Sequence, residues 1–236
     1  MNIKKIAAAF LTALFFITSM QAQENSSEQT IEDVYLKSTV KAQIIRSQAE
    51  SPDRDMKLIA IQDIGEMINN GEVNENSIEI IDILGDLSAE GIDKRVVEGG
   101  RVINNFSMVR KEAVRILGEI GGENARNSIL EIFKNENETM VLTEAVLALS
   151  KAGIDEDGEV LDLISWTMHS QTAVNKDNTF ANASLSAIQK LAKDNEGLDD
   201  EKLFREIAAI ADPRNGYITV VRMKALQLLD ELQSYY

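Results

Sequence analysis

Apolar residues recur every three to four positions along most of this 236-residue chain. The spacing holds from residue 31 to residue 48 and stops at Ser51 and Pro52. Afterwards, apolar stretches of about 12 to 18 residues alternate with short turns rich in Asn, Asp, Glu and Gly. This periodicity is typical of amphipathic helices, and Pro52 suits the start of a helix because no backbone donor is needed there. The predicted helices are 31–48, 53–69, 75–89, 107–120, 123–135, 139–152, 157–171, 179–194, 200–211 and 217–234. The fold class is therefore all-α, with the helices in five antiparallel pairs.

The second helix of each predicted pair carries a small residue in a recurring frame. The segment that starts at Val109 is matched 32 residues later by the segment that starts at Val141. In this frame, the small residue falls at Ala60, Ala113, Ala145, Ser184 and Ala225. A small side chain lets two helices approach closely, and a two-helix unit must stack on a neighbour to bury its apolar face. The pattern therefore predicts an α-solenoid of about five helix pairs.

The run V-R-x-x-A-x-x-x-L-G resembles the second helix of a HEAT repeat in its short bacterial form. It is read here as Val109, Arg110, Ala113, Leu117 and Gly118. The resemblance covers the predicted domain, residues 31–236, and implies a curved surface that binds a protein. It also implies that the arginine ties neighbouring repeats together by bonding an acidic group. This position is occupied by arginine at Arg110 and Arg222 and by lysine at Lys57. Leu142 and Ala181 occupy it in the other two repeats and depart from the pattern. The residues expected to stack the repeats are Arg110, Ala113, Leu117, Ala145, Arg222 and Ala225.

One gap between the recurring positions is too long for a helix pair. The excess residues lie between Ala89 and Phe106, and they include two β-branched runs around Glu98-Gly99-Gly100. Because glycine adopts the positive φ that tight turns require, we predict a short β-hairpin near residues 94–104. An insertion in a repeat protein often lies on the binding face. The candidate protein-binding residues are Lys94, Arg95, Val97, Arg101 and Ile103. Alternatively, the hairpin folds back, its valines cover the adjoining helix ends, and its basic residues neutralise local acids.

The first 23 residues have the order of a secretory signal. Lys4 and Lys5 precede an apolar run from Ile6 to Met20, and Ala22 offers a cleavage point. The run is shorter than a membrane-spanning helix needs, so we expect cleavage, a flexible lead at 24–30, and a periplasmic or secreted protein. The chain has no cysteine, which excludes a lipid anchor, disulfides and thiolate metal sites.

The net charge of −15 argues against nucleic acid and anionic lipid as partners, because both are bound through clustered Lys and Arg. High charge can simply keep an exported protein soluble, or it can form an acidic face for a basic partner.

Little in the sequence indicates catalysis or a cofactor. His169 is the single histidine, which excludes a His-rich metal site, and it is expected at a surface or helix end. Trp166 is expected in the core, since it lies among apolar residues at helical spacing. The acids of 155–159 do not fit an EF-hand loop, and their binding of a cation stays open. We therefore expect a non-enzymatic scaffold or adaptor that binds a protein of the cell envelope. The alternatives are a ligand-handling or lyase-like enzyme on the same fold, which would use carboxylates alone, and a structural component that self-associates.

Overall fold

The computed structural model describes residues 31–152, 158–174, 176–195, 198 and 201–235. The predicted signal at 1–23 and the lead at 24–30 lie outside the described residues, as do positions 155–157 of the acidic loop. The chain falls into two units, Met1–Lys41 and Ala42–Tyr236, and the description below concerns the second unit.

The all-α prediction is confirmed over the described residues. Ten helices are present there: α1 (Ile31–Glu50), α2 (Arg54–Asn69), α3 (Ile78–Ser88), α4 (Ser107–Ile120), α5 (Gly122–Asn135), α6 (Thr139–Ala152), α7 (Glu159–Val174), α8 (Asn178–Asp194), α9 (Glu201–Ala211) and α10 (Thr219–Gln233). A 3₁₀ turn, Pro213–Asn215, precedes α10. The predicted hairpin is also present, with strands β1 (Val97–Glu98) and β2 (Arg101–Val102).

The largest boundary differences are of three residues: α3 begins at Ile78 rather than at residue 75, and α7 ends at Val174 rather than at residue 171. The Asn74 side chain accepts the Asn76 N–H at 2.9 Å, and the Ser77 N–H donates to the Asn74 carbonyl, also at 2.9 Å. These local bonds form a turn that competes with the first helical turn. Asn and Ser therefore delay the helix, although the apolar spacing extends further upstream.

Helices packed in two alternating sets form the core of the second unit. Each of α2, α4, α6 and α8 packs on the next even-numbered helix, while α3 packs on α5 and α7 packs on α9. Consecutive helices also pack together at α3–α4, α5–α6 and α9–α10. The five small residues at the recurring position are all fully buried on the even-numbered helices: Ala60, Ala113, Ala145, Ser184 and Ala225. Leu117, four residues after Ala113, is also fully buried.

Helices α4 and α6 approach closely at a glycine. A Cβ atom added at Gly118 would lie 2.6 Å from the Cβ and 2.8 Å from the Cα of Ala148. Real Cβ atoms are not found so close to other carbon atoms, so the two backbones come together here because residue 118 has no side chain.

The turn between α9 and α10 contains a carboxyl group whose pKa is strongly lowered. Hydrogen bonds from Arg214 lower the pKa of Asp212 to about 2, and the bond from the Arg214 side chain contributes more than the bond from its backbone N–H. Since the pKa is lower in the folded state, the ionised carboxylate favours folding above pH 3.8, and this contribution is lost as the pH falls towards 2.

Replacing Arg214 by Ala is expected to raise the pKa of Asp212 towards its ordinary value of 3.8, because the principal donor to the carboxylate is removed. NMR titration of the Asp212 carboxyl carbon measures this directly. Arg205→Ala, which removes an exposed arginine of α9, is the control and should leave the titration unchanged. A pKa that stays near 2 in Arg214→Ala would contradict the assignment.

Candidate functional site

The insertion between α3 and α4 forms a short two-stranded ribbon, residues 96–103. Val97 pairs with Val102 and Glu98 pairs with Arg101, so Gly99 and Gly100 form a two-residue turn. Both glycines have positive φ, at 57° and 79°, which suits the twist of a tight hairpin. The Ile103 N–H donates to the Val96 carbonyl at 2.9 Å and extends the pairing by one residue.

Four β-branched side chains of the ribbon are exposed to solvent. Because side chains alternate along a strand, Val97 and Val102 share one face of the ribbon, while Val96 and Ile103 share the other. Their exposed fractions are 60% for Val97, 38% for Val102, 53% for Val96 and 49% for Ile103. The alternative that the valines fold back over the helix ends is therefore wrong.

The sequence-predicted contact residues divide between the two ribbon faces. Val97 and Ile103 are on opposite faces, so the structure does not bring them together, and their cross-strand neighbours Val102 and Val96 were missed. The sequence could have indicated these neighbours, because the two-residue turn at Gly99-Gly100 fixes which residues of the two strands pair.

The basic residues of the insertion differ in their bonding. The Lys94 ammonium lies 2.7 Å from an Asp86 carboxylate oxygen, so it does neutralise a local acid. Arg95 donates from Nε to the Ile92 carbonyl at 2.8 Å, which leaves its terminal nitrogens without a bond among the described residues. Arg101 lies across from Glu98 near the tip of the ribbon.

A buried polar cluster holds the base of the ribbon. The Glu90 carboxylate accepts from Lys57 Nζ at 3.0 Å and from Asn104 Nδ2 at 2.8 Å. Asn104 also donates to the Lys94 carbonyl at 2.6 Å and accepts the Val96 N–H at 2.8 Å through Oδ1. One amide side chain therefore bonds both the incoming strand and the acid at the end of α3. Buried groups that are hydrogen-bonded to one another in this way fix a local geometry.

Arg110 forms the second buried connection next to the insertion, with only 1% of the residue exposed. Its Nε donates to Glu136 Oε2 at 2.7 Å, and Nη1 donates to Asn105 Oδ1 at 2.7 Å and to the Glu90 carbonyl at 3.1 Å. Glu136 Oε1 also accepts the two backbone N–H groups that follow it. Arg110 thus connects α4, the insertion and the α5–α6 turn. Arg222 donates instead to a backbone carbonyl, that of Ala211, at 3.3 Å.

The backbone closes tightly where the insertion meets α3. Gly91 has a φ of 76°, and a Cβ atom there would lie 2.5 Å from the Asn104 carbonyl oxygen and 2.7 Å from the Asn105 Cα. The close approach of two chain segments therefore requires glycine at residue 91.

Gly91→Ala is expected to lower the free energy of unfolding by about 2–4 kcal/mol, since it combines left-handed backbone strain with overpacking. Gly71→Ala is a matched control, because Gly71 has a φ of 72° and nothing within 4 Å of its added Cβ. That control should lose only about 1 kcal/mol, from the backbone conformation alone. Urea denaturation of both variants measures the difference, and equal losses would show that the closure at residue 91 is not tight.

Two clefts lie beside the ribbon. The larger cleft, of about 480 Å³, is lined by Val96 and by the buried side chains of Ala49, Ile83 and Leu87. The smaller cleft, of about 230 Å³, is lined by Val102 on the other side and includes the Arg110–Glu136 pair. Arg95 contributes to both clefts. The ribbon therefore stands between two concave surfaces.

A third cleft lies between α7 and α9 and includes Trp166. Its volume is about 310 Å³, and His169 Nδ1 lies 3.0 Å from Glu206 Oε1 at its side. Trp166 is 64% exposed, so the prediction that it lies in the core is wrong. Ile164 and Met168 are buried, and Trp166 lies two residues from each, about 200° around the helix.

Trp166 is the chain's single tryptophan, so fluorescence excited at a wavelength that tyrosine does not absorb reports on it alone. We expect the long-wavelength emission of a water-exposed indole and strong quenching by acrylamide, a neutral quencher unaffected by the acidic charge. Unfolding in urea should shift the emission maximum very little. Emission at short wavelength in the native protein that moves to long wavelength on unfolding would contradict the exposed position.

In the part of the chain that the structure describes, no group of three or more His, Cys, Asp or Glu side chains is placed to hold a metal ion. None of the described helices has the length and apolar character needed to cross a membrane. No family model, curated protein or solved structure matches the chain. The function is therefore inferred from the geometry of the chain itself.

Proposed function

We propose that this protein is an exported, non-enzymatic scaffold or adaptor that binds another protein of the periplasm or cell envelope through the ribbon. The observation that carries the proposal is the exposure of Val96, Val97, Val102 and Ile103 on both faces of a hairpin whose base is fixed by buried polar bonds. Exposed β-branched side chains cost free energy in water, which a partner would recover by covering them. A firmly held base reduces the ordering cost of binding.

The proposed scaffold is a HEAT-like α-solenoid of about five antiparallel helix pairs. Support comes from the packing of each of α2, α4, α6 and α8 on the next even-numbered helix, with the recurring small residues buried there. Stacked pairs of this kind need each repeat to contact its neighbours. An insertion between the helices of a pair then stands outside the stack, where a partner can reach it.

The charge of the ribbon favours a particular kind of partner surface. Arg95 and Arg101 extend from a chain whose net charge is −15, and the terminal nitrogens of Arg95 are unbonded among the described residues. Arg is enriched in protein interfaces and pairs well with carboxylates. We therefore expect a partner surface that combines apolar side chains with acidic ones.

The test replaces the four ribbon residues by Thr, as Val96→Thr, Val97→Thr, Val102→Thr and Ile103→Thr together. Threonine keeps the β-branch and the strand preference but removes apolar surface. The matched control changes four exposed residues of the α10 region, as Ile218→Thr, Val220→Thr, Met223→Thr and Leu226→Thr. We expect cross-linked affinity capture from the envelope to lose its dominant partner with the ribbon variant and to keep it with the control.

Both variants change exposed positions, so their unfolding free energies should stay within about 1–2 kcal/mol of the parent. If both variants retain the same partner, the proposal that the partner binds through the ribbon is contradicted. If only the α10 variant loses the partner, the contact lies on the α10 region instead.

Self-association is a second candidate function, favoured by a separate observation. Val220 and Met223 are exposed on α10 and, with Leu185 of α8, line a cleft of about 500 Å³. Another copy of the chain could cover this surface. Sedimentation at increasing protein concentration tests the candidate: a mass that rises in the parent but not in the α10 variant supports it, and a constant monomer mass removes it.

A further inference from the structure

The cleft between α7 and α9 is lined by one apolar side chain, that of Trp166, among polar and charged ones. Isolated exposed apolar residues are ordinary on protein surfaces, so the exposure of Trp166 does not by itself indicate a site. What distinguishes this indole is that it is exposed within a concave surface. The volume of this Trp166 cleft, about 310 Å³, is near the lower end of the usual range for small-ligand sites.

Helical spacing gathers the lining residues on two packed helices. On α7, Asp162, Trp166 and His169 recur at intervals of four and three residues, so they lie along one face of the helix. On α9, Lys202 and Glu206 are four residues apart and share a face in the same way. The two helices pack on each other, and His169 Nδ1 lies 3.0 Å from Glu206 Oε1. Along α7, the indole therefore lies between a carboxylate and a contact that joins the two helices.

The charges that line the Trp166 cleft balance. Asp162 and Glu206 are acidic, Lys202 and Arg205 are basic, and with His169 neutral the lining has no net formal charge. An anionic ligand would meet the two carboxylates, and a cationic ligand would meet the two cations. Carboxylates accept hydrogen bonds, whereas lysine and arginine donate them. The lining therefore favours an uncharged ligand whose groups both donate and accept.

An aromatic face bordered by donors and acceptors suits a sugar ring. A pyranose has C–H groups on its faces, which pack on an aromatic ring, and hydroxyl groups at its rim, which donate and accept. An apolar side chain of a protein partner fits less well, because such anchors fill fully desolvated pockets and this cleft has only one apolar side chain. A nucleotide is disfavoured, because its phosphate would meet a chain with a net charge of −15.

We propose that the Trp166 cleft binds a neutral saccharide, one ring of which stacks on the indole. The Asp162 and Glu206 carboxylates accept from its hydroxyl groups, and Lys202 and Arg205 donate to them. Sugars with equatorial hydroxyl groups, such as β-linked glucose, are favoured because an axial hydroxyl interrupts the flat C–H face. The Trp166 cleft shares no lining residue with the two clefts beside the ribbon. The inference thus goes beyond the proposed protein binding and does not depend on it.

The test titrates the full chain with cellotriose and with triacetylchitotriose, two neutral β-linked trimers whose ring substituents are equatorial. Fluorescence excited at a wavelength that tyrosine does not absorb follows Trp166 at millimolar sugar concentration. We expect the emission to move to shorter wavelength and acrylamide quenching to fall, because the sugar ring covers the indole. The β-linked trimers of glucosamine, which is cationic, and of glucuronic acid, which is anionic, should bind about tenfold more weakly, since each meets like charges.

Two variants with matched controls locate the contact, all of them at exposed positions where folding is little affected. Trp166→Ala should weaken binding about tenfold or more, because the stacking surface is lost. Saturation-transfer NMR of the sugar protons measures this variant, which has no tryptophan. Its control is Tyr235→Ala, which removes an exposed aromatic ring outside the cleft and should bind like the parent. Asp162→Asn should weaken binding about fivefold, because a charged acceptor becomes neutral, while Glu201→Gln, on α9 outside the lining, should not.

The proposal is overturned if neither neutral trimer changes the Trp166 emission, or if the charged trimers bind as well as the neutral ones. Parent-like binding by Trp166→Ala or by Asp162→Asn also contradicts it. If neither neutral trimer binds and Trp166→Ala loses a partner that the parent captures from the envelope, the cleft is a protein contact instead. The sugar titration and the fourfold Thr variant of the ribbon concern different residues, so either result can fail without the other.

Discussion

Replacing Arg110 by Met is expected to lower the free energy of unfolding by about 3–5 kcal/mol, which is the usual cost of breaking a buried ion pair from one side. The change leaves the Glu136 carboxylate buried without its cation, and it removes the donor to the Asn105 side chain and the Glu90 carbonyl. Methionine keeps a long unbranched side chain, so the loss reports the polar bonds more than the packing. Urea denaturation measures it.

Two control variants make this prediction specific. Adding Glu136→Gln to Arg110→Met should recover a large part of the loss, because the amide oxygen can still accept the backbone N–H groups while the buried charge is gone. Arg115→Met changes a half-exposed arginine of the same helix that bonds Glu112 and Glu119, and it should cost about 1 kcal/mol or less. Similar losses in Arg110→Met and Arg115→Met would contradict the buried connection.

Gly118→Ala is expected to destabilise the chain by about 1–3 kcal/mol, although alanine normally favours a helix over glycine. The added methyl would meet the backbone and side chain of Ala148, so α4 and α6 must separate or shift. The same substitution at Gly65 is the matched control, because Gly65 follows Ala60 by five residues as Gly118 follows Ala113.

A Cβ at Gly65 would meet only the end of the Ile116 side chain, at 3.4 Å. Gly65→Ala should therefore stabilise the chain by about 0.5–1 kcal/mol through helix propensity. Thermal and urea unfolding of the two variants should move in opposite directions. A gain in stability for Gly118→Ala would show that the two helices are not in close contact at this point.

The helices were predictable because they depend on local spacing. Each of the ten predicted helices has a described counterpart, and the late start of α3 came from side-chain bonds of Asn74 and Ser77 that apolar spacing does not reveal. The prediction that Trp166 lies in the core was wrong for a different reason. The helix α7 carries apolar residues on more than one face, and only packing against the neighbouring helices decides which face is buried.

The candidate site was predictable in part. Gly99 and Gly100 indicated the hairpin, but the bonds at its base join residues far apart in the sequence, such as Lys57 and Glu90. Polar residues in a loop, such as Asn104, resemble exposed residues when the sequence is read alone. Their burial depends on contacts that form only when the chain is folded.

The two buried connections between a cation and an acid lie on either side of the insertion. Lys57 bonds Glu90 and Arg110 bonds Glu136, whereas Leu142 and Ala181, at the corresponding positions further along the chain, are buried apolar residues. Two buried polar connections thus adjoin the ribbon. This placement is what a firmly held contact element requires, because preorganisation lowers the cost of binding.

The most direct test of the proposed scaffold function is site-specific photo-cross-linking in the cell envelope, with the photoreactive residue placed at Val97 on the ribbon or at Val220 on α10. Both positions are well exposed, so reagent access is comparable. The proposed function predicts a discrete cross-linked protein from position 97 that is absent from position 220. Cross-links from position 220 alone, or none from position 97, would contradict binding through the ribbon.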